Sequence, residues 1–477
     1  MLLLLLALSL TGAAVQLVAA EEVVSRSRAG FAANALFLPP CTCISYKPAF
    51  EKACPTWNNV YSDWRSCLRP PAAPPAATPQ PQKQEDANDC AVCRRVGSDN
   101  YCAFTSYKFN GGAAVSMITT PARMRALLGG KEPGEYPGSP GSIFARVGPD
   151  AFETRDMSGG GPPFEAREIT YHGLGLVATR PIRENTRLMA AAPVVMVDDR
   201  AWRGMRREDL AVVLGQAVMN LPEESRERFL GLSSENDLND TARMLEVFRR
   251  NAFKTQLRLV DFQSVFPEVS RLNHDCGPNL GYYFDAETLS HRVYAARDIM
   301  PGEELTISYV DVLLQKEDRH HLLSSTWSFV CTCARCNVQG DGHLAVETSR
   351  RVRHIADLRR ELDDYSKAAT PQKAELLITL YELEGVAPVR IYEAYYRAAL
   401  EYNGVGDAAT ATRYARMCLA KGLVLRGPNR PFIESMNALA EDPTRHWSWQ
   451  FRIYGGSRRP GEERYNKYMG MRPNFQW

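Results

Sequence analysis

The stretches Asn273-His274-Asp275-Cys276-Gly277-Pro278-Asn279 and Gly302-Glu303-Glu304-Leu305-Thr306-Ile307-Ser308-Tyr309 decide how this chain folds. Around them, residues 280–284, 291–296 and 304–309 read as short strands, with Pro301-Gly302 as the turn before the last. Upstream, Gly173-Leu174-Gly175 lies between strand-like residues 165–171 and 175–182. Glycines there let the backbone take positive φ or come close to a ligand. A further strand is expected over 187–197. Between about 201 and 262 the pattern turns helical, with Leu210, Val213, Leu214, Ala217 and Val218 at helix spacing. Downstream, Cys331-Thr332-Cys333-Ala334-Arg335-Cys336 closes the region, and helices are expected from about 343 onward.

The rest of the chain frames this core. Its 477 residues allow two to four domains at about 100–200 residues each. Lys plus Arg number 57 against 55 Asp plus Glu, so no net field points to nucleic acid or an anionic membrane. Residues 1–20 are apolar and uncharged up to Glu21, and Val18-Ala19-Ala20 supplies small residues at a cleavage position, so a signal peptide is expected. No later segment is apolar enough to span a bilayer. Residues 21–163 form a Cys-rich and Pro/Gly-rich region, partly disordered, with Cys41, Cys43, Cys54, Cys67, Cys90, Cys93 and Cys102. Within it, residues 68–88 read as an extended linker. Cys90, Cys93 and Cys102 lack a fourth metal ligand at suitable spacing, which favours a disulfide or a free thiol. The main domain is expected over 164–340 and a helical domain over 341–477. Residues 392–427 resemble a tetratricopeptide-type helical hairpin joined at Gly404–Gly406. His320-His321 reads as an exposed helix face, and the aromatic tail from Trp447 to Trp477 as packing against the helices.

Taken in order, G-x-G, N-H-x-C-x-P-N, G-E-E-L-x-I-x-Y and C-x-C-x2-C resemble the SET-domain lysine methyltransferases over roughly residues 164–340. The helical insert and helical tail resemble the SET-and-MYND branch and its fungal relatives. The MYND finger is missing, since no cysteine lies between Cys102 and Cys276. The resemblance implies an α+β fold: a mostly-β SET core with a helical insert, a Cys-rich post-SET segment and an α-helical, tetratricopeptide-like C-terminal domain. It implies S-adenosyl-L-methionine as cofactor, bound by Gly173, Leu174, Gly175, Asn251, Asn273, His274 and Phe329. Tyr309 would be the catalytic tyrosine, and Trp327 would line the lysine channel where the branch often has tyrosine. Asn185 stands at a turn often held by glycine, and asparagine tolerates positive φ.

Cys331, Cys333 and Cys336, with Cys276 55 positions earlier, supply four thiolates, the donor set of a closed structural Zn²⁺ site. Disulfides are the alternative that a secretory compartment would favour. The function expected is methylation of lysine side chains of a histone or non-histone protein. Two other readings are a SET-fold interaction protein without catalysis and a secreted Cys-rich protein with a vestigial core; the complete motifs favour catalysis over both. With a working leader the chain enters the secretory pathway; without one it acts in the cytoplasm or nucleus. The sequence carries no signal for an oligomeric state.

Overall fold

A computed structural model describes residues 92–107, 109–127, 161–170, 173–234, 240–337, 342–364 and 369–453. The leader at 1–20 and the linker at 68–88 lie outside them, as does the tail beyond residue 453.

The described residues open with β1 (Cys93–Val96), β2 (Asp99–Ser106), β3 (Val115–Thr119) and helix α1 (Pro121–Leu127). The central part adds β4 (Phe164–Ile169), β5 (Gly173–Ala178), β6 (Arg187–Ala191) and β7 (Val195–Asp198). Four helices follow: α2 (Asp199–Gly204), α3 (Arg207–Met219), α4 (Glu223–Leu230) and α5 (Asp240–Asn251). Then come β8 (Ala252–Leu257), β9 (Val260–Val265), β10 (Asn273–His274), β11 (Leu280–Asp285), β12 (Ser290–Ala295) and β13 (Glu304–Ile307). The C-terminal helices are α6 (Lys316–Trp327), α7 (Gly342–Asp363), α8 (Pro371–Leu383), α9 (Ala387–Gly404), α10 (Ala408–Arg426) and α11 (Pro431–Glu441). The fold is mixed α/β, sheet-rich in the middle and helical at the C-terminal end.

The strands form three sheets, ordered β1-β2-β3-β7-β9-β8, β10-β13-β5-β4 and β11-β12-β6. In the first, alternation sorts side chains onto two faces. Tyr101, Ala103, Ile118, Val195, Val197 and Val265 pack under α3, where Leu210, Val213, Leu214, Ala217 and Val218 form the apolar stripe. Their in-between neighbours Cys102, Phe104, Met117, Met196 and Phe262 enter a separate core on the opposite face. The other two sheets share a core that includes Leu176, Met189, Phe266, Leu272, Val293, Leu305 and Ile307.

Three sequence readings change. Residues 93–127, read as part of an N-terminal Cys-rich region, form three strands that join the sheet through a parallel β3–β7 pair. Residues 252–262, read as the end of a helical stretch, belong to an antiparallel hairpin over 252–265 that turns at Arg258, whose φ is +54°. Pairing of β9 with β7 decides this, because a strand between two neighbours satisfies its backbone on both sides. The single strand expected at 187–197 divides into β6 and β7, in different sheets, around Pro193, which has no N–H for a ladder. Asn185 takes a positive φ, +66°, which asparagine tolerates, and Gly302, in the expected Pro301-Gly302 turn, has φ +87°.

The C-terminal helices bury Arg390, Glu393 and Arg397 beside charged partners. Glu393 meets Arg390 at 2.9 Å and Arg359 at 3.3 Å, and Arg397 meets Asp363 at 2.7 Å. The start of the aromatic tail packs on these helices. Arg452 pairs with Glu401 at 2.6 Å, and a Cβ at Gly404 would stand 2.4 Å from Phe451, so only glycine fits that joint.

Candidate active site

Parallel pairing of β10 with β13 builds the site. Asn273 lies opposite Thr306, and His274 opposite Ile307. Asp275 N–H extends the ladder to the Ile307 carbonyl at 2.9 Å. Asn279 pins the same segments from the side: its Nδ2 donates to the Glu304 carbonyl at 2.8 Å, and its Oδ1 accepts from Thr306 N–H at 2.9 Å. The last Asn of N-H-x-C-x-P-N is therefore a buried brace.

The two halves of the sequence pattern meet at Gly175. A Cβ there would stand 2.6 Å from Asn273 Nδ2 and 2.8 Å from Glu304 Oε1, which are themselves hydrogen-bonded at 2.8 Å. Any side chain at 175 would displace this pair. Gly173 has φ +74°, a conformation costly for other residues. Leu174 between them is exposed.

Tyr309 is held at both ends. Its backbone N–H donates to His274 Nδ1 at 2.9 Å, and its hydroxyl donates to the Leu272 carbonyl at 2.8 Å. Its ring lies 5.1 Å from Trp327, 5.3 Å from His274 and 6.5 Å from Phe329, centroid to centroid. Burial, reinforced by Glu304 and Tyr282, pushes its phenol well above the ordinary tyrosine range. The hydroxyl therefore keeps its proton at any ordinary pH.

Trp327 and Phe329 come from the C-terminal end of α6, and a clamp that the sequence reading missed holds them. Arg249 and Arg250, the last basic residues of α5, share Glu246 at 2.6 and 2.5 Å. Arg249 donates to the Thr326 carbonyl at 2.6 Å and Arg250 to that of Trp327 at 3.0 Å. These are the carbonyls a helix leaves unsatisfied at its end. Trp327 returns the contact by donating its indole N–H to the Arg250 carbonyl at 2.8 Å. The hydrogen bond from Arg249, helped by Arg250, holds the Glu246 carboxyl down at about 2 against the pull of burial. The E-x-x-R-R spacing ahead of Asn251 was the available signal, since i,i+3 and i,i+4 residues share a helix face. Asn251 is buried, and its Nδ2 donates to the carbonyls of Ser233 at 2.9 Å and Val247 at 2.8 Å.

The four late cysteines converge. The Sγ atoms of Cys276, Cys331, Cys333 and Cys336 all lie within 4.8 Å of one another, three of the four residues being buried. Cys276 Sγ is 4.0 Å from Cys331 and 3.6 Å from Cys336. A tetrahedral ion with metal–sulfur bonds of about 2.3 Å sets its sulfurs roughly 3.8 Å apart, so the cluster has the size of a four-thiolate metal site. Arg319 is buried beside it, with Nε 3.2 Å from Cys276 Sγ and Nη2 3.6 Å from Cys336 Sγ. Its charge suits a site that would carry net negative charge. His321, two residues on, is exposed as expected, but this neighbour on the same helix is not. Arg335 fastens the cluster to the rest, donating to the Cys276 carbonyl at 2.6 Å and to that of Val312 at 3.0 Å.

The family model described as "SET domain" matches residues 173–310. The histone-lysine N-methyltransferase set5 of Schizosaccharomyces pombe is 28% identical over 194 residues, 40% of this chain and 53% of that protein. The human histone-lysine N-methyltransferase SMYD3 is 37% identical over 103 residues, 20% of this chain and 24% of the relative. The human N-lysine methyltransferase SMYD2 is 27% identical over 154 residues, 30% of this chain and 35% of the relative. The chain thus spans about half the length of the first of these relatives, about a quarter of the second and just over a third of the third.

Proposed function

We propose that this chain, which carries a SET domain and is related to the SET5- and SMYD-type enzymes, is a protein-lysine N-methyltransferase that uses S-adenosyl-L-methionine. The observation that carries this reading is Tyr309, tethered at its amide and its hydroxyl within an aromatic enclosure, beside the Gly175–Asn273–Glu304 contact. The cofactor supplies a methyl group on a positively charged sulfur. The backbone of Gly173–Gly175 lies along its pocket, and Asn273, Asn251 and Phe329 line it. His274 contributes through its main chain, because both ring nitrogens have other partners.

The chain's own work is to deliver a neutral, oriented amine. A free lysine titrates at about 10.4, and bringing it to about 7 takes roughly 4.6 kcal/mol of selective destabilisation of the ammonium. A poorly hydrated channel walled by Trp327 and Tyr309 pushes in that direction. With its proton donated to the Leu272 carbonyl, the Tyr309 oxygen offers lone pairs to the amine N–H. Tyr309 thus orients the amine and does not remove its proton. Alignment accounts for the rate more than acid–base chemistry does.

The thiol cluster is read as a structural Zn²⁺ site that fastens the segment carrying Trp327 and Phe329. The C-terminal helices are read as a tetratricopeptide-like partner to the core. Substrates are lysine-bearing proteins, histone or other. No helix among the described residues is long and apolar enough to cross a membrane. For the compartment, N-terminal sequencing of native protein is the test: a mature chain starting at Glu21 supports secretion, and an intact Met1 or a start further downstream in a cytosolic fraction refutes it. For the activity, purified chain is incubated with methyl-labelled cofactor and a proteome extract. Label on lysine is the expected result, and absence of transfer to any protein overturns the reading.

A further inference from the structure

We infer that the His274 side chain is a positioning residue that ties Tyr309 to the thiol cluster, so that the state of the cluster sets the position of the tyrosine. The inference rests on the methyltransferase reading for its consequence but not for its geometry. Tyr309 N–H donates to His274 Nδ1 at 2.9 Å, so Nδ1 is an acceptor and carries no proton. The neutral ring then carries its proton on Nε2, and the atom facing Nε2, at 3.3 Å, is Cys276 Sγ. One imidazole thereby spans from a cluster sulfur to the amide of the tyrosine. The ring is buried, and it touches the rings of Tyr309 and Phe329 at 5.3 and 6.0 Å, so it has little room to reorient while both bonds stand.

The cluster end is firm as well. Cys276 Sγ also accepts from Arg319 Nε at 3.2 Å, and Arg319 Nη1 donates to the Leu314 carbonyl at 2.5 Å. A thiolate held by a metal is a good acceptor in a fixed place. A sulfur released from the cluster, or oxidised into a disulfide, is a poorer acceptor in a different place. His274 would then lose its anchor and Tyr309 its amide acceptor. Tyr309 follows β13, so protection of its amide reports on the imidazole and not on a sheet ladder.

Hydrogen exchange read by mass spectrometry on the full chain tests this. The peptide containing Tyr309 should be protected in protein purified with one metal equivalent. Its exchange should quicken about 10-fold or more after treatment with 1,10-phenanthroline, while β2 stays protected. His274→Gln carries an amide at the Nε2 level and nothing at the Nδ1 level. It should keep the metal yet exchange fast at Tyr309, and its kcat should fall much more than its affinity for S-adenosylhomocysteine. His274→Asn carries an acceptor at the Nδ1 level only, and its exchange at Tyr309 should no longer respond to chelation. Unchanged exchange in chelated wild type overturns the tie. So does equal loss of protection in β2, or slow exchange in the Gln variant. A wild type that shows this exchange pattern but transfers no methyl group sinks the enzymatic reading and leaves the tie standing.

Discussion

Two groups of cysteines in this chain do opposite things. Cys93 and Cys102 face each other in the β1–β2 hairpin and form a disulfide, nine residues apart in sequence. Cys276, Cys331, Cys333 and Cys336 stay free thiols although their sulfurs all lie within 4.8 Å of one another. The first pair is local, and the pairing of two adjacent strands is enough to bring it together. The second is assembled by the fold, from a segment beside β10 and another just beyond α6. It has a buried guanidinium beside it that favours thiolates. A disulfide removes charge and needs no such neighbour; a four-thiolate site concentrates charge and does.

This contrast can be broken in four ways, from the largest expected effect to the smallest. Cys331→Ser should cost the chain its metal equivalent and nearly all methyl transfer, by elemental analysis and a labelled-donor assay. Full activity in a metal-free variant would show the cluster to be dispensable. Tyr309→Phe removes one hydroxyl and should lower kcat about 100-fold or more while cofactor affinity and metal content stay near normal, because only alignment is lost. Calorimetry with S-adenosylhomocysteine checks the binding half. Glu246→Gln concerns the clamp on the segment next to the cluster. The Glu246 carboxyl sits at about 2 when folded, below the ordinary carboxylate range, so its stabilisation is full above about 4.5 and fades as pH falls toward 2. The variant should melt lower than wild type at pH 6, with the gap narrowing below about 4.5 and closing only as pH falls through about 2; a gap that stays constant from pH 6 to pH 2 would refute the clamp. Cys93→Ser with Cys102→Ser opens a small loop worth roughly 2–3 kcal/mol in the unfolded state. It should lower the melting temperature by a few degrees and leave turnover within about 2-fold.

Much of the site was legible in the sequence because its residues lie in short, dense runs. Asn273–His274 and Glu304–Ile307, taken from the two motif segments, form β10 and β13, which pair with each other, so the two motifs are neighbours in space. The three-plus-one cysteine spacing likewise converges. Local backbone chemistry was equally readable at Asn185 and at Pro301-Gly302. Long-range pairing was not. Nothing within residues 115–119 indicates that they will lie parallel to 195–197 across a Gly- and Pro-rich stretch, since register is set by the partner strand. Helix and strand patterns also overlap in short apolar runs, which is why 252–262 read as helix. The clamp of Glu246, Arg249 and Arg250 escaped notice because charged residues on a helix usually face water. Here the helix ends against another helix end, and the charges are turned inward.

The place of β7 in its sheet has a practical consequence. It is hydrogen-bonded on one side to β3 and on the other to β9. A fragment begun at Phe164, where composition suggests a boundary, would lack β1, β2 and β3. It would expose the open flank of β7, whose Val195, Met196 and Val197 are fully buried in the intact chain. A bare, apolar strand flank recruits strands from other molecules. Such a fragment should come out of expression as insoluble or self-associated material even though it contains every motif of the candidate site, whereas one begun before Cys93 should stay dispersed.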